Sequence, residues 1–427
     1  MHILHLVHQY IPDQVGGTEL YTHWLAQGLT KHGHRVTIFH RRNIAGSGLE
    51  QWTDGEVHIL AARSDHFNPV RRFLATFYEP SVTRAFALAL EETHPDLIHI
   101  QHLMGLPVTL ISAIRQRGIP FVITCWDYWW VCPNAQLLTN YSGEICVEST
   151  RWNCARCMLA RVGYPRLRPA SPLLAGLVAW RNHLLHQVMD TAQVLIAPTE
   201  FVSRWYAAHG APEKKLTVIH PGLEHSFTKA NHSCRFDKTV RFAYIGGLSW
   251  QKGVHTLVEA FAGVHGDVEL WIAGDETFDP AYVSHLRTLA TPNVRFMGRL
   301  DRNAVWNVLT QTDVIVVPSL WYETFSFLIS EAFAAGLPVL VSHLGALADR
   351  VRDGIDGLLL PPGDIIAWRS AIQRLVDEPD LLPRLRAGVR PPIAMEEHVD
   401  RLESLYAEVI DSSHPAREIF RNEKNIG

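Results

Sequence analysis

The sequence predicts an α/β fold of two doubly wound domains facing a cleft, on three observations. Short apolar runs rich in Ile, Val and Leu alternate with helix-length segments along nearly the whole chain, the signal of βαβ units and parallel sheets. The alternation begins twice, and each first strand leads into a glycine pair, Gly16–Gly17 and Gly246–Gly247. Between the two series lies Val218–Asp237, polar, turn-rich and poor in apolar runs, the composition of a linker. The expected domains are 1–220, 221–390 and a tail at 391–427. The tail's acids, bases and leucines recur at helical spacing over Ile393–Ile410, so it would pack back toward the N-terminal domain.

In the first half the strands fall at Ile3–Val7, Val36–Phe39, Leu97–Ile100, Phe121–Thr124 and Val194–Ala197, with helices such as Glu19–Lys31 and Val108–Arg117 between them. In the second half they fall at Arg241–Ile245, Val268–Ala273, Val294–Met297, Val314–Val317, Val339–Val341 and Leu358–Leu360. Residues 125–164 fit neither half and read as an insertion carrying Trp126, Trp129, Trp130, Trp152 and four cysteines. Long segments of this kind in compact domains are more often functional than accidental.

Bulk properties narrow the class. The 427 residues are 47% hydrophobic and 19% charged, a globular profile. A net charge of -4 is too small to argue for nucleic-acid binding, and none is expected. The opening MHILHLVHQYIP lacks a basic n-region and a cleavage site and reads as a strand. The charge-free run Leu97–Ile114 is broken by His99, Gln101, His102 and Gly105–Pro107, so it reads as strand, turn and helix rather than a membrane span. A cytoplasmic, soluble protein is expected.

The glycine pairs suggest anion binding. A strand, two glycines and a helix N-terminus present backbone N–H groups and a positive dipole end to a phosphate, and a Cβ would hold the phosphate away. Lys252 follows the second pair just before the helix Val254–Phe261 and could add a point charge. A tight βα turn and a solvated lysine would explain the same residues. There is no G-x-G-x-x-G with a ribose-binding acid, no Walker loop and no D-x-D pair. Two acids then stand out in LWYETFSFLISEAFAAG: Glu323 and Glu331, eight residues apart among apolar and small residues. A helix from about Thr324 to Ala335 would put Glu323 at or near its N-cap and Glu331 two turns on, along nearly the same side.

The pattern P-S-x-W-x-E-x-F-x-x-x-x-x-E-A-x-A-x-G-x-P-V resembles the E-x7-E signature of the family 4 retaining glycosyltransferases, which adopt the GT-B fold of two Rossmann-like domains. The likeness extends through VRFAYIGGLSWQKGVHTLVEAF, VRFMGRL and RDGIDGLLLPPGD. At the front it takes in VGGTELYTHWLAQGLTKHGHRVTIF, DLIHIQHLMGLP and LIAPTEFVSRWY. TCWDYWWVCP with the spaced cysteines is similar to one bacterial branch. The resemblance implies a nucleotide-sugar donor (UDP-, GDP- or ADP-linked), and a glycan, lipid-linked sugar or small-molecule acceptor. It implies no cofactor for catalysis. Glu323 would bind hydroxyls of the donor sugar and Glu331 those of the ribose. Lys252, the Gly16–Gly17 amides and the amides of Thr324, Phe325 and Ser326 would hold the diphosphate, and Gly246, Gly247 and Arg299 complete the donor set.

The chain departs from the family pattern in four places. An arginine usual beside the second glycine is Gly247, the usual F-G is Phe325–Ser326, and the usual P-E is represented by Asp349. The active-site histidine of T-x-H is Trp126, so His102 or Asp127 would take the polar role. A non-catalytic sugar-nucleotide binder or a GT-B epimerase are the alternatives. Cys132, Cys146, Cys154 and Cys157 could hold a structural zinc, form disulfides or remain thiols. The basic, apolar stretches Arg71–Leu74, Phe77–Tyr78 and Arg161–Leu185 could touch a lipid-linked acceptor at the membrane surface, or be ordinary helices.

Overall fold

Eight strands form the N-terminal sheet: β1 (His2–Leu6), β2 (Arg35–Asn43), β3 (Leu49–Asp54), β4 (Val57–Ser64), β5 (Leu97–Ile100), β6 (Phe121–Thr124), β7 (Val194–Ala197) and β8 (Leu216–Val218). They lie in the order β3-β4-β2-β1-β5-β6-β7-β8, parallel throughout except for the β3–β4 pair. β1, β5 and β6 are buried along their whole length, which is why they appear in the sequence as unbroken apolar runs. This computed structural model describes residues 1–65, 68–147, 149–163, 171–224 and 239–424, with 414–424 described by backbone alone. The chain divides into two units, Met1–Glu224 with Ile393–Gly427, and His225–Pro392.

The β3–β4 hairpin and β8 are additions to the expected strands. The hairpin turns on Gly55 and Glu56, with Gly55 at φ +60° in the first loop position, as a type II′ turn requires. After β6 the chain runs through turns into a helix, Arg151–Arg161, which packs on the helix Ser171–Thr191. The C-terminal helix Met395–Lys424 lies in the N-terminal unit against the helix Gly17–Lys31. A Cβ on Gly28 would come within 2.7 Å of Val399. Buried polar contacts fix its register: Tyr21 Oη to His398 Nε2 at 2.6 Å and Tyr406 Oη to His99 Nδ1 at 2.6 Å. Most of the segment expected as a linker, Val218–Asp237, and part of Arg161–Leu185 lie outside the described residues.

The C-terminal unit carries β9 (Val240–Ile245), β10 (Val268–Ala273), β11 (Val294–Gly298), β12 (Val314–Val317), β13 (Val339–Ser342) and β14 (Gly357–Leu360). All are parallel, in the order β11-β10-β9-β12-β13-β14. Phe242, Leu257, Leu270, Val316 and Trp368 centre its core. Strand order reverses between β9 and β12, and doubly wound sheets bind ligands outside the carboxyl ends of the strands at such a point. No helix among the described residues is long and apolar enough to cross a membrane.

Candidate active site

In the C-terminal unit, the loops after β9 and β12 meet at this reversal. Gly253 allows it: at φ +69°, its Cβ would fall 1.9 Å from the Pro318 carbonyl oxygen, so only glycine permits the approach. The turn Trp250–Lys252 therefore lies on the end of β12, and the Leu320 N–H donates to the Gln251 carbonyl at 2.8 Å. Lys252 Nζ then reaches Glu323 Oε1 at 2.7 Å, and Ser319 Oγ and Trp321 Nε1 donate to the same oxygen at 2.8 and 3.0 Å. The ammonium also stands 5.0 Å from the centroid of the Trp321 ring. Burial pushes the Glu323 carboxyl up, but the Lys252 charge and the three donors outweigh it and hold it below the usual carboxylate range. Glu323 is a fixed anion.

One expectation needs correction. The helix is Phe327–Ala334, so Glu323 belongs to the preceding loop and is not an N-cap. The cause is Ser326, whose φ of +66° and ψ of 90° lie outside the helical region. Arg350, on the short helix Ala346–Arg350, holds this turn from below. Its guanidinium donates to the carbonyls of Phe325 and Ser326, each at 2.6 Å, and to Ser330 Oγ at 2.8 Å. It also lies 3.7 Å from the centroid of the Phe325 ring. A serine at positive φ costs on the order of 1 kcal/mol or more. Ser326→Gly should therefore raise stability by about 0.5–1 kcal/mol in urea unfolding; a lower urea midpoint would show that the turn carries no such strain.

Glu331 is 5% exposed and meets Arg302 at 2.5 Å. Burial raises its carboxyl, and the Arg302 charge and hydrogen bond only partly offset this. Gly247 opens into free space, and Tyr244 Oη donates to its carbonyl at 2.7 Å. The Gly246 N–H is taken by the Ala273 carbonyl at 3.0 Å. Arg299 is mostly exposed, its nearest acid being Asp275 at 3.8 Å.

The N-terminal unit brings its own expected residues together at the carboxyl ends of β1, β5 and β6. The Met104 N–H donates to His102 Nδ1 at 3.0 Å, which assigns the ring hydrogen to Nε2 and makes it the donor to Asp127 Oδ2 at 2.8 Å. Asp127 Oδ1 accepts from the Trp129 N–H at 2.8 Å. Both nitrogens of His102 are engaged, and Asp127 is the more exposed partner, 24% against 4%. Trp126 is buried, donating from Nε1 to Gln101 Oε1 at 2.8 Å with Tyr21 edge-on to it. At the Gly16–Gly17 turn the chain supplies a carboxyl group of its own. The buried Glu19 carboxylate curls back so that a Cβ on Gly16 would lie 2.5 Å from its Oε2. Burial raises Glu19, with backbone bonds at Glu19 and Gly16 opposing.

Among the described residues, no three cysteine thiols lie within 4.8 Å of one another. Cys132, Cys154 and Cys157 are buried and Cys146 is half-buried. Among the described residues, the one group with three ligand atoms within 4.8 Å of one another is His32, Asp400 and Glu403. Cys157 Sγ instead accepts from Asn134 Nδ2 at 3.0 Å and the Asn140 N–H at 3.2 Å. Ser319 and Trp321 had their signal in the P-S-x-W-x-E pattern. Arg302, Arg350 and Glu19 had none that separates them from surface charges.

Sequence comparison supplies the family. Residues 15–227 match the family described as Glycosyltransferase Family 4, and residues 239–378 match that described as Glycosyl transferases group 1. The chain is a GT-B glycosyltransferase. It is 24% identical over 404 residues to a glycogen synthase of Mycobacterium tuberculosis, covering 91% of this chain and 89% of that protein. In fold, the glycosyltransferase is similar to a sucrose-phosphate synthase from Thermosynechococcus elongatus, with a TM-score of 0.73 at 18% identity, covering 96% and 99% of the two chains. It is also similar to Anabaena HepE, solved with UDP and glucose, with a TM-score of 0.65 at 16% identity over 95% and 99%.

Proposed function

We propose that the protein moves a sugar from a nucleotide-sugar donor to an acceptor hydroxyl with retention of anomeric configuration and without a divalent metal. The observation that carries this reading is the Glu323 carboxylate fixed by Lys252, Ser319 and Trp321 at the strand-order reversal of the C-terminal unit. In this reading Glu323 accepts hydroxyls of the donor sugar and Glu331 those of the ribose. Lys252 and the amides of Thr324–Ser326 stabilise the departing diphosphate, as preorganised donors do where charge develops. Solved proteins of this fold carry UDP with glucose, or ADP with acarbose, which favours a nucleoside diphosphate leaving group. Retention follows if the acceptor attacks on the face the leaving group departs, so no carboxylate nucleophile is needed. On the acceptor side, Asp127 is the group that meets the hydroxyl, with His102 orienting it. The reaction belongs in the cytoplasm, with a glycan, lipid-linked sugar or small molecule as acceptor.

Trp126 favours a second reading, a non-catalytic binder, because its N–H is committed to Gln101 and supplies no base. Incubation with UDP-, GDP- and ADP-sugars separates the two: slow donor hydrolysis supports the transferase, and binding without turnover the binder. The two glutamates also predict a pH order. Glu331 is raised and Glu323 lowered, so on acidification Glu331 protonates first and loses its acceptor strength. Nucleotide affinity should weaken on the acid side while Glu323 is still ionised, and Glu331→Gln should abolish that limb. An acid limb unchanged in Glu331→Gln would assign it to another group.

A further inference from the structure

Four side chains able to ligate a metal converge where the C-terminal helix Met395–Lys424 meets the end of the helix Gly17–Lys31. His32 is the C-cap residue of the latter helix, and His34 immediately precedes β2. Asp400 and Glu403 stand three residues apart on the C-terminal helix, a spacing that puts both on one face. All four belong to the N-terminal unit. His32 Nδ1 lies 3.0 Å from Glu403 Oε2 and 3.7 Å from Asp400 Oδ1, and the ligand atoms of these three residues fall within 4.8 Å of one another. Tetrahedral ligands at ~2.0–2.1 Å from a zinc ion stand about 3.4 Å apart, so the donors are already spaced to receive one. His34 adds an observation of a different kind. Its side chain is 10% exposed, and its buried Nε2 lies 3.1 Å from Glu403 Oε1 yet makes no aligned hydrogen bond among the described residues. A buried ring nitrogen left this way is costly. A Glu403 carboxylate turned to a metal through Oε2 would offer it Oε1, the kind of outer contact that orients a ligating carboxylate. As ion pairs alone, half-exposed contacts such as these contribute little. Imidazole with carboxylate is a donor set that suits zinc rather than the all-oxygen cations magnesium and calcium.

We propose that His32, Asp400 and Glu403 bind one zinc ion, with His34 steadying Glu403 through its second oxygen, and that the ion clamps the C-terminal helix onto the N-terminal unit. The site is independent of the transferase reading, and the ion takes no part in that reaction. The test uses the full chain, stripped of metal by a chelator and titrated with zinc chloride against a chromophoric competitor. It compares the wild type with Asp400→Asn/Glu403→Gln and, from the other element, with His32→Gln. The two acids are exposed and half-exposed, and their amides keep the side-chain size, so neither change opens a core. The wild type should bind one equivalent, and both variants should bind it at least about tenfold more weakly. Zinc at about 100 times its wild-type Kd should raise the wild-type melting temperature by several degrees and that of the variants by less. Cobalt(II) in place of zinc separates these ligands from the cysteines, because thiolate ligation adds a sulfur-to-metal charge-transfer absorption. Cobalt bound without that absorption, and weakened in the variants, supports the site. No binding by the wild type, equal affinity or an equal melting shift in the variants, or a single equivalent that carries the sulfur absorption overturns it.

Discussion

Glu323→Gln should lower turnover about 100-fold while nucleotide affinity changes by less than about threefold. A hydrogen bond to a charged acceptor contributes ~1.5–3 kcal/mol, and each ~1.4 kcal/mol is tenfold in rate. The neutral amide also releases Lys252, whose ammonium is held 2.7 Å from the carboxylate and over the Trp321 ring. In the proposed reaction a misplaced cation would no longer meet the leaving diphosphate, so the loss belongs in kcat. The measurement is steady-state hydrolysis and transfer, with the nucleotide Kd determined by titration. Were the Kd to collapse while kcat held, the roles of Glu323 and Glu331 would be reversed.

Arg350→Met should cost on the order of 100-fold in kcat/KM with only a modest change in melting temperature. Two opposing effects decide this. The buried guanidinium is expensive, as its pKa lowered by burial to about 9 shows, and the variant recovers that cost. It also loses the bonds to the Phe325 and Ser326 carbonyls and to Ser330 Oγ. These partly cancel in stability but not in function. The freed turn leaves its positive-φ conformation and displaces the Thr324–Ser326 amides, and a displacement of about 1 Å can cost ~100-fold. Arg350 is a positioning residue, so the kcat-against-KM split is the readout, with circular dichroism melting alongside. A large drop in melting temperature with unchanged kinetics per folded molecule would make its role purely structural.

The sequence was most legible where burial is continuous. Strands such as Leu97–Ile100 and Val314–Val317 are buried on both faces and can only appear as apolar runs. β3 was not legible because its residues are half-exposed, although Asp54–Gly55 marks its turn. Glu323 and Lys252 were identifiable from a motif, but the loop holding them was not. A serine at position 326 gives no sign of positive φ, so the helix looked as though it started three residues earlier than it does. Arg350 and Glu19 were invisible because a single charge on a short helix or at a helix start reads as solvated. His102 and Asp127 were separate candidates in the sequence, and only the adjacency of β5 and β6 brings them to 2.8 Å. The cysteine spacing was legible too, but the contacts of Cys157 with the Asn134 side chain and the Asn140 N–H were not.

The most direct test is donor hydrolysis by purified wild type and Lys252→Met across a panel of UDP-, GDP- and ADP-sugars. The expected result is slow hydrolysis of one nucleotide class by the wild type and no turnover by Lys252→Met at saturating donor. Wild type that neither binds nor hydrolyses any of the panel, or Lys252→Met that turns over like wild type, would contradict a donor site built on Lys252 and Glu323.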